Sequence, residues 1–192
     1  MVLARFVSDV LNPQTLSFVG VLAFAFYPFT SNGWLLPVQA FALAFILLVA
    51  VPFAPLARDF LRGKTDLNVS SLKQRAAYYE LWAIEFAVAA VVFVFLEASA
   101  LVVQAVVLTV LLAFMWLATK YWGKASLHAS SAFGLATLFG LAYGYEYYAL
   151  LALALIVAWS RLELKAHTLS QVIVGGAIGV AAPLLAWAAL LG

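Results

Sequence analysis

The sequence contains no cysteine, and it carries little charge for its length. Without cysteine the chain cannot form disulfides, iron–sulfur clusters or a thiol nucleophile. Charged residues make up 9% of the 192 residues, against about 25% in an ordinary soluble domain. Ten basic and eight acidic side chains are too few to give a protein of this size a polar surface. These shortages exclude a soluble globular enzyme, a disordered chain and a fibrous repeat.

Histidine is also rare, since the chain has only His128 and His167. Two histidines and a few carboxylates are a thin ligand set for a tetrahedral metal, so we expect no metal site and no cofactor. The net charge of +2 gives little attraction to a phosphate backbone. Nucleic acid is therefore not an expected partner.

Long apolar runs, in contrast, are abundant. Hydrophobic residues make up 67% of the chain, and the mean hydropathy is +1.10. The runs are continuous and rich in alanine and leucine, which is typical of membrane helices and not of barrel strands. They predict an all-α, polytopic transmembrane helix bundle that forms a single integral membrane domain over residues 1–192. The seven candidate spans are Thr15–Thr30, Trp34–Pro55, Tyr78–Glu97, Ala100–Tyr121, His128–Gly144, Tyr147–Arg161 and Thr168–Leu191. A six-span bundle is the alternative, because the first and sixth runs are short.

Two segments outside these runs have a different character. Residues 1–13 place Val2, Phe6 and Val10 on one helical face, which predicts an interfacial amphipathic helix. Asp9 interrupts the apolar stretch, so we do not expect a signal peptide. Residues 56–77 form a long charged loop with five of the ten basic residues.

The basic residues also indicate an orientation in the membrane. With seven spans, all ten fall on one face and none on the other: Arg5, Arg58, Arg62, Lys64, Lys73, Arg75, Lys120, Lys124, Arg161 and Lys165. Positive residues collect in cytoplasmic loops, so this asymmetry predicts that the charged face of a cell-membrane protein lies in the cytoplasm.

Both histidines lie in short charged links on this face, and each stands at the start of an apolar helix. Helix N-termini attract anions, and arginine and lysine in the neighbouring links add positive charge. Gln171 lies four residues after His167 and so shares its helical face. One imidazole can attack phosphorus while the other protonates the leaving oxygen, so the pattern suits a phosphate ester.

The order of these residues resembles the type 2 phosphatidic acid phosphatase superfamily, which includes lipid phosphate phosphatases, prenyl diphosphate phosphatases and vanadium haloperoxidases. Ser160-Arg161, followed after five residues by His167, matches the third signature of the family. Ala125-Ser126-Leu127-His128 corresponds to the second signature, P-S-G-H, and Lys64 through Arg75 corresponds loosely to the first. The resemblance extends from Arg58 to Gly179.

The resemblance implies a role for each matched residue. His167 would be the nucleophile that forms a phosphohistidine, and His128 would be the general acid and later the base. The phosphate would be held by Arg161, Arg75, Ser126 and Lys64. No metal would be required, because side chains supply the positive charge.

The sequence also departs from the family pattern. Gln171 stands where the family has the aspartate that orients the nucleophilic histidine, and a neutral amide stabilises an imidazolium less than a carboxylate does. Ala125 and Leu127 replace the proline and glycine of the second signature. Ala76 follows Arg75 where proline is expected. These departures indicate a divergent member.

The expected function is an integral membrane phosphatase that acts on a lipid phosphate or an isoprenoid diphosphate, with membrane lipids as its surroundings. The alternative is a catalytically silent member that binds anionic lipid or a membrane partner. A transporter is disfavoured, because the ionisable residues cluster at one face and not near the membrane midplane. The oligomeric state is left open.

Overall fold

The computed structural model describes residues 1–192 and consists of eight α-helices. They are α1 Val2–Val10, α2 Pro13–Phe26, α3 Pro37–Leu61, α4 Leu72–Phe95, α5 Ser99–Tyr121, α6 Leu127–Tyr143, α7 Leu151–Glu163 and α8 Leu169–Leu191. A π-helical segment, Ile46–Ala50, interrupts α3, and a 3₁₀ segment, Tyr145–Leu150, precedes α7. The prediction of an all-α fold is confirmed.

Four helices are long and apolar enough to cross a membrane: α3, α4, α5 and α8. A fifth span arises if α1 and α2, which meet at a bend of 44°, are counted together. All seven predicted runs coincide with helices, but six or seven spans are not confirmed. The reason is length: α2, α6 and α7 have 14, 17 and 13 residues, and at about 1.5 Å per residue each falls short of a hydrocarbon core about 30 Å thick.

The charged loop predicted over residues 56–77 is shorter than expected. Helix α3 continues through Pro55 to Leu61, and α4 already begins at Leu72. Ser71 explains the early start of α4, since its hydroxyl oxygen accepts the N–H of Gln74 at 3.5 Å and caps the helix. The non-helical link is therefore residues 62–71.

The chain divides into two compact units, and each is described by itself. One unit comprises Phe18–Gly123. Its helices α4 and α5 pack as an antiparallel pair around buried side chains that include Phe93 and Leu101. The indole N–H of Trp82 on α4 donates to the carbonyl oxygen of Pro52 on α3 at 2.6 Å. This bond holds α3 against the α4–α5 pair. It lies beside Pro52 and Pro55, the two prolines that interrupt the backbone hydrogen bonding of α3.

The other unit comprises Met1–Ser17 and Lys124–Gly192. Helices α6 and α8 run parallel in close contact, because a side chain on Gly175 would overlap the carbonyl oxygen of Ser126 and one on Gly179 would overlap that of Ser130. Only glycine permits this approach of two backbones. Helix α7 packs between α1 and α6, with Ala154 and Val157 in the shared core. The starts of α6 and α8 therefore lie at the same end of this unit.

Candidate functional site

His167 is held by a residue of the next helical turn. Its Nδ1 lies 3.0 Å from Oε1 of Gln171. The same Oε1 accepts the backbone N–H of Thr168 at 3.2 Å, and the Thr168 hydroxyl accepts the N–H of Gln171 at 3.4 Å. This reciprocal pair is a capping box at the start of α8. The predicted orienting role of Gln171 therefore has a geometric basis.

These contacts also fix which nitrogen of His167 carries the proton. A backbone N–H can donate only to an acceptor, so the atom of Gln171 that faces Thr168 is the carbonyl oxygen and not the amide nitrogen. Because that oxygen only accepts, the Nδ1 of His167 must be the protonated nitrogen. In the neutral ring Nε2 then keeps its lone pair.

Ser126 joins the start of α6 to the start of α8. It is fully buried, and its backbone N–H donates to the carbonyl oxygen of Gln171 at 3.0 Å. Its hydroxyl oxygen caps α6 by accepting the N–H of Ala129 at 3.3 Å. His128, two residues further on and partly exposed, lies in the first turn of the capped helix. The structure thus brings the two histidine-bearing helix starts together.

Arg161 lies at the end of α7 beside this pair of helix starts. Its carbonyl oxygen accepts the backbone N–H groups of Ala166 at 3.1 Å and His167 at 3.4 Å, so the turn that carries His167 is folded onto Arg161. The Arg161 side chain is 6% exposed, and its Nη1 donates to the hydroxyl of Ser8 on α1. A guanidinium has five N–H donors, so one bond to Ser8 is compatible with phosphate binding.

Two residues of this site were not predicted from the sequence. Thr168 could have been found, because a threonine followed three residues later by glutamine is the signature of a capping box. Ser8 gave only a weak signal, as a polar residue that lies one turn after Ala4 in an apolar segment. Both Ser8 and Ala4 are buried. The arginine partner of Ser8 lies 153 positions away, which no local pattern reveals.

Lys64 and Arg75 belong to the other unit, where Lys64 lies in the link of residues 62–71 and Arg75 lies in the first turn of α4. Arg75 is buried, and its Nε and Nη2 donate to the carbonyl oxygen of Val69 at 3.0 and 2.9 Å. Its Nη2 also donates to the carbonyl oxygen of Asn68 at 2.9 Å. Lys64 is exposed, and its carbonyl oxygen accepts the side-chain amide of Gln74 at 2.9 Å. Arg75 therefore shapes the loop at whose start Lys64 lies.

Asp66 organises the same loop from within. Its two carboxylate oxygens accept the backbone N–H groups of Asn68 at 2.9 Å and Ser70 at 3.0 Å. Burial alone would raise the pKa of Asp66, but the hydrogen bonds from Ser70 and Asn68 outweigh it and lower the pKa below its ordinary value. Val69, between these donors, has a φ of +46°. The carboxylate and Arg75 together hold this unusual backbone in place.

The unit that contains α6 and α8 therefore collects two imidazoles, a buried guanidinium and two helix N-termini at one end. Such a set can bind an anion and carry out nucleophilic and acid–base chemistry on it. In no place do three or more histidine or acidic side chains group as metal ligands. Comparison with protein-family models, with curated proteins and with solved structures finds no match for this chain.

Proposed function

We propose that the protein is an integral membrane phosphatase, a divergent member of the type 2 phosphatidic acid phosphatase superfamily. Its substrate is a lipid phosphate or an isoprenoid diphosphate. The observation that carries the proposal is the hydrogen bond from His167 Nδ1 to Gln171, because it leaves the Nε2 lone pair for attack on phosphorus. The contact between Ser126 and Gln171 adds the second histidine-bearing helix start to the same place.

The proposed reaction has two steps. First, Nε2 of His167 attacks phosphorus while the bond from phosphorus to the leaving oxygen breaks, and protonated His128 gives its proton to that oxygen. This step leaves a phosphohistidine and a neutral His128. Second, water attacks the phosphohistidine, His128 takes a proton from it, and the phosphorus–nitrogen bond breaks to release phosphate. Arg161 and the N–H groups of the helix starts bind the phosphoryl oxygens, which are charged in the ground state as well as in the transition state.

The membrane arrangement is part of the proposal. We infer six or seven spans, with α1 at the interface and the bilayer thinned locally around the shorter helices. With seven spans, all ten basic residues fall on one face, and the proposal places this charged face, with the site, on the cytoplasmic side of the cell membrane. The lipid tail of the substrate then lies beside the bundle, and its phosphate reaches the charged face.

The test is phosphate release by the full chain in lipid nanodiscs, with phosphatidate, phosphatidylglycerophosphate and prenyl diphosphates as substrates. We expect turnover of at least one, and its loss in His167→Ala. The matched control is Leu169→Ala, an exposed side chain in the first turn of the same helix, which should retain activity. Turnover that survives His167→Ala would refute His167 as the nucleophile.

His128 is tested by the leaving group. His128→Ala should lose most activity toward a lipid alkyl phosphate, whose alcohol leaves only when protonated. It should retain more activity toward an aryl phosphate, whose phenolate leaves readily. Equal losses with both substrates would contradict its role as the general acid.

The second candidate function is a silent member that binds anionic lipid. The neutral amide of Gln171 in place of an acid favours it, because an amide stabilises a charged histidine less during phosphoryl transfer. In that case the parent releases no phosphate from any substrate in the panel. It would still be retained by vesicles of phosphatidic acid in preference to phosphatidylcholine.

A further inference from the structure

The N-terminal helix α1 reaches the phosphate site proposed above through one buried polar contact. Ser8 is 3% exposed, and its hydroxyl oxygen accepts a hydrogen bond from Nη1 of Arg161. Arginine carries an extended side chain with several rotatable bonds, so a fixed partner determines where its guanidinium points. The hydroxyl also partly satisfies a buried charge that would otherwise be costly.

Other contacts hold α1 in this position independently of Ser8. Val7 and Leu11 pack against the buried cluster of Ala132, Ala154 and Val157. The terminal amino group of Met1 lies 3.7 Å from a carboxylate oxygen of Glu163, at the end of α7. Removal of the Ser8 hydroxyl should therefore leave α1 docked and change mainly the orientation of Arg161.

We infer that Ser8 is a positioning residue, which holds the Arg161 guanidinium in the orientation that binds the substrate phosphate. The inference rests on the proposed phosphatase function. Arginine recognises phosphate through paired, directional N–H bonds, so a guanidinium that is held less firmly after loss of the Ser8 contact binds phosphate less tightly. If Arg161 binds the phosphate equally well in the ground state and in the transition state, loss of its orientation weakens substrate binding and changes the rate of the chemical step little.

Steady-state kinetics of the full chain in nanodiscs test this inference. Ser8→Ala should raise KM for the phosphate ester about tenfold and change kcat by less than about twofold, since a tenfold effect corresponds to one hydrogen bond to a charged group. A merely structural role would lower the fraction of active protein, which reduces apparent kcat and leaves KM unchanged. Ser8→Thr, which keeps the hydroxyl, should restore KM.

The matched control is Asn12→Ala. Asn12 accepts the N–H of Thr15 at 2.9 Å and donates to the carbonyl oxygen of Asp9 at 2.7 Å, so its loss loosens the α1–α2 junction without touching Arg161. KM should stay at the parent value. An unchanged KM in Ser8→Ala, or no rescue by Ser8→Thr, overturns the inference while the phosphatase function stands. If the parent shows no turnover, both the proposed function and this inference are refuted.

Discussion

Replacement of Gln171 by glutamate tests the geometry of the proposed nucleophile most directly. Glutamate has the same length as glutamine, so a carboxylate oxygen can still accept from Nδ1 of His167 and from the N–H of Thr168. In the parent, Oε1 of Gln171 lies 3.0 Å from the first and 3.2 Å from the second. Glutamate is also a preferred residue at this position of a capping box. The fold of the first turn of α8 should therefore persist, and the main change is a negative charge beside the imidazole.

The size of the effect follows from the distance. Unit charges about 4 Å apart interact by about 1 kcal/mol in water and about 4 kcal/mol at an effective dielectric constant of about 20. His167 and Gln171 are both partly exposed, which places the interaction toward the lower value. One pKa unit corresponds to about 1.4 kcal/mol, so the carboxylate should raise the pKa of His167 by about one unit relative to the parent.

The assay is the pH dependence of kcat/KM in nanodiscs. The nucleophile must be neutral to attack, so a higher pKa moves the acid limb of the profile of Gln171→Glu upward by about one pH unit. Leu169→Glu is the control, since it adds the same charge to an exposed position of the same turn that lies two residues from His167 and so does not share its helical face. An acid limb that does not move, or moves equally in the control, refutes the hydrogen bond between His167 and Gln171 as the basis of the mechanism.

Three further predictions concern packing and membrane placement. Gly175→Ala should lower the free energy of unfolding by about 1–3 kcal/mol in a thermal unfolding assay, because its Cβ overlaps the backbone carbonyl oxygen of Ser126. Gly176→Ala is the control and should lower the free energy of unfolding less, because its Cβ would lie 3.3 Å from the movable ring of Phe133. A dye on Phe6→Cys, the only cysteine, should be quenched by brominated lipid if the exposed face of α1 lies at the interface; no quenching would contradict this placement. A tag in Leu67–Ser71 should resist an impermeant reagent in intact cells, and labelling there would reverse the predicted orientation.

The sequence was informative where structure depends on local spacing. Apolar runs predicted every long helix, and the interval between His167 and Gln171 predicted that they share a helical face. The number of spans was harder to predict: the first and sixth runs were already short in the sequence, but hydropathy does not reveal that a 3₁₀ segment occupies Tyr145–Leu150 and leaves α7 with 13 residues. The loop over residues 56–77 was overestimated because charged residues are compatible with helix ends.

The rest of the site depends on contacts between distant parts of the chain. The bond between Ser8 and Arg161 requires α1 to pack on α7, and the bond from Ser126 to Gln171 requires two helix backbones to approach over glycine. No periodic pattern in the sequence indicates either of these contacts. Arg75 illustrates the converse, because its motif-like position predicted phosphate binding while the structure shows its guanidinium bound to carbonyl oxygens of the link that precedes α4.

Gln171 connects the local and the distant contributions to the site. Its side-chain oxygen fixes the tautomer of His167, and its carbonyl oxygen receives the N–H of Ser126 from the other helix. The neutral amide orients the ring without placing a negative charge beside the proposed phosphate position, so it avoids repulsion between the orienting group and the proposed substrate. It also lets the imidazole stay uncharged, and hence nucleophilic, to a lower pH than it would beside a carboxylate. The glutamine is therefore compatible with phosphoryl transfer, because orientation of the ring requires an acceptor and not a charge.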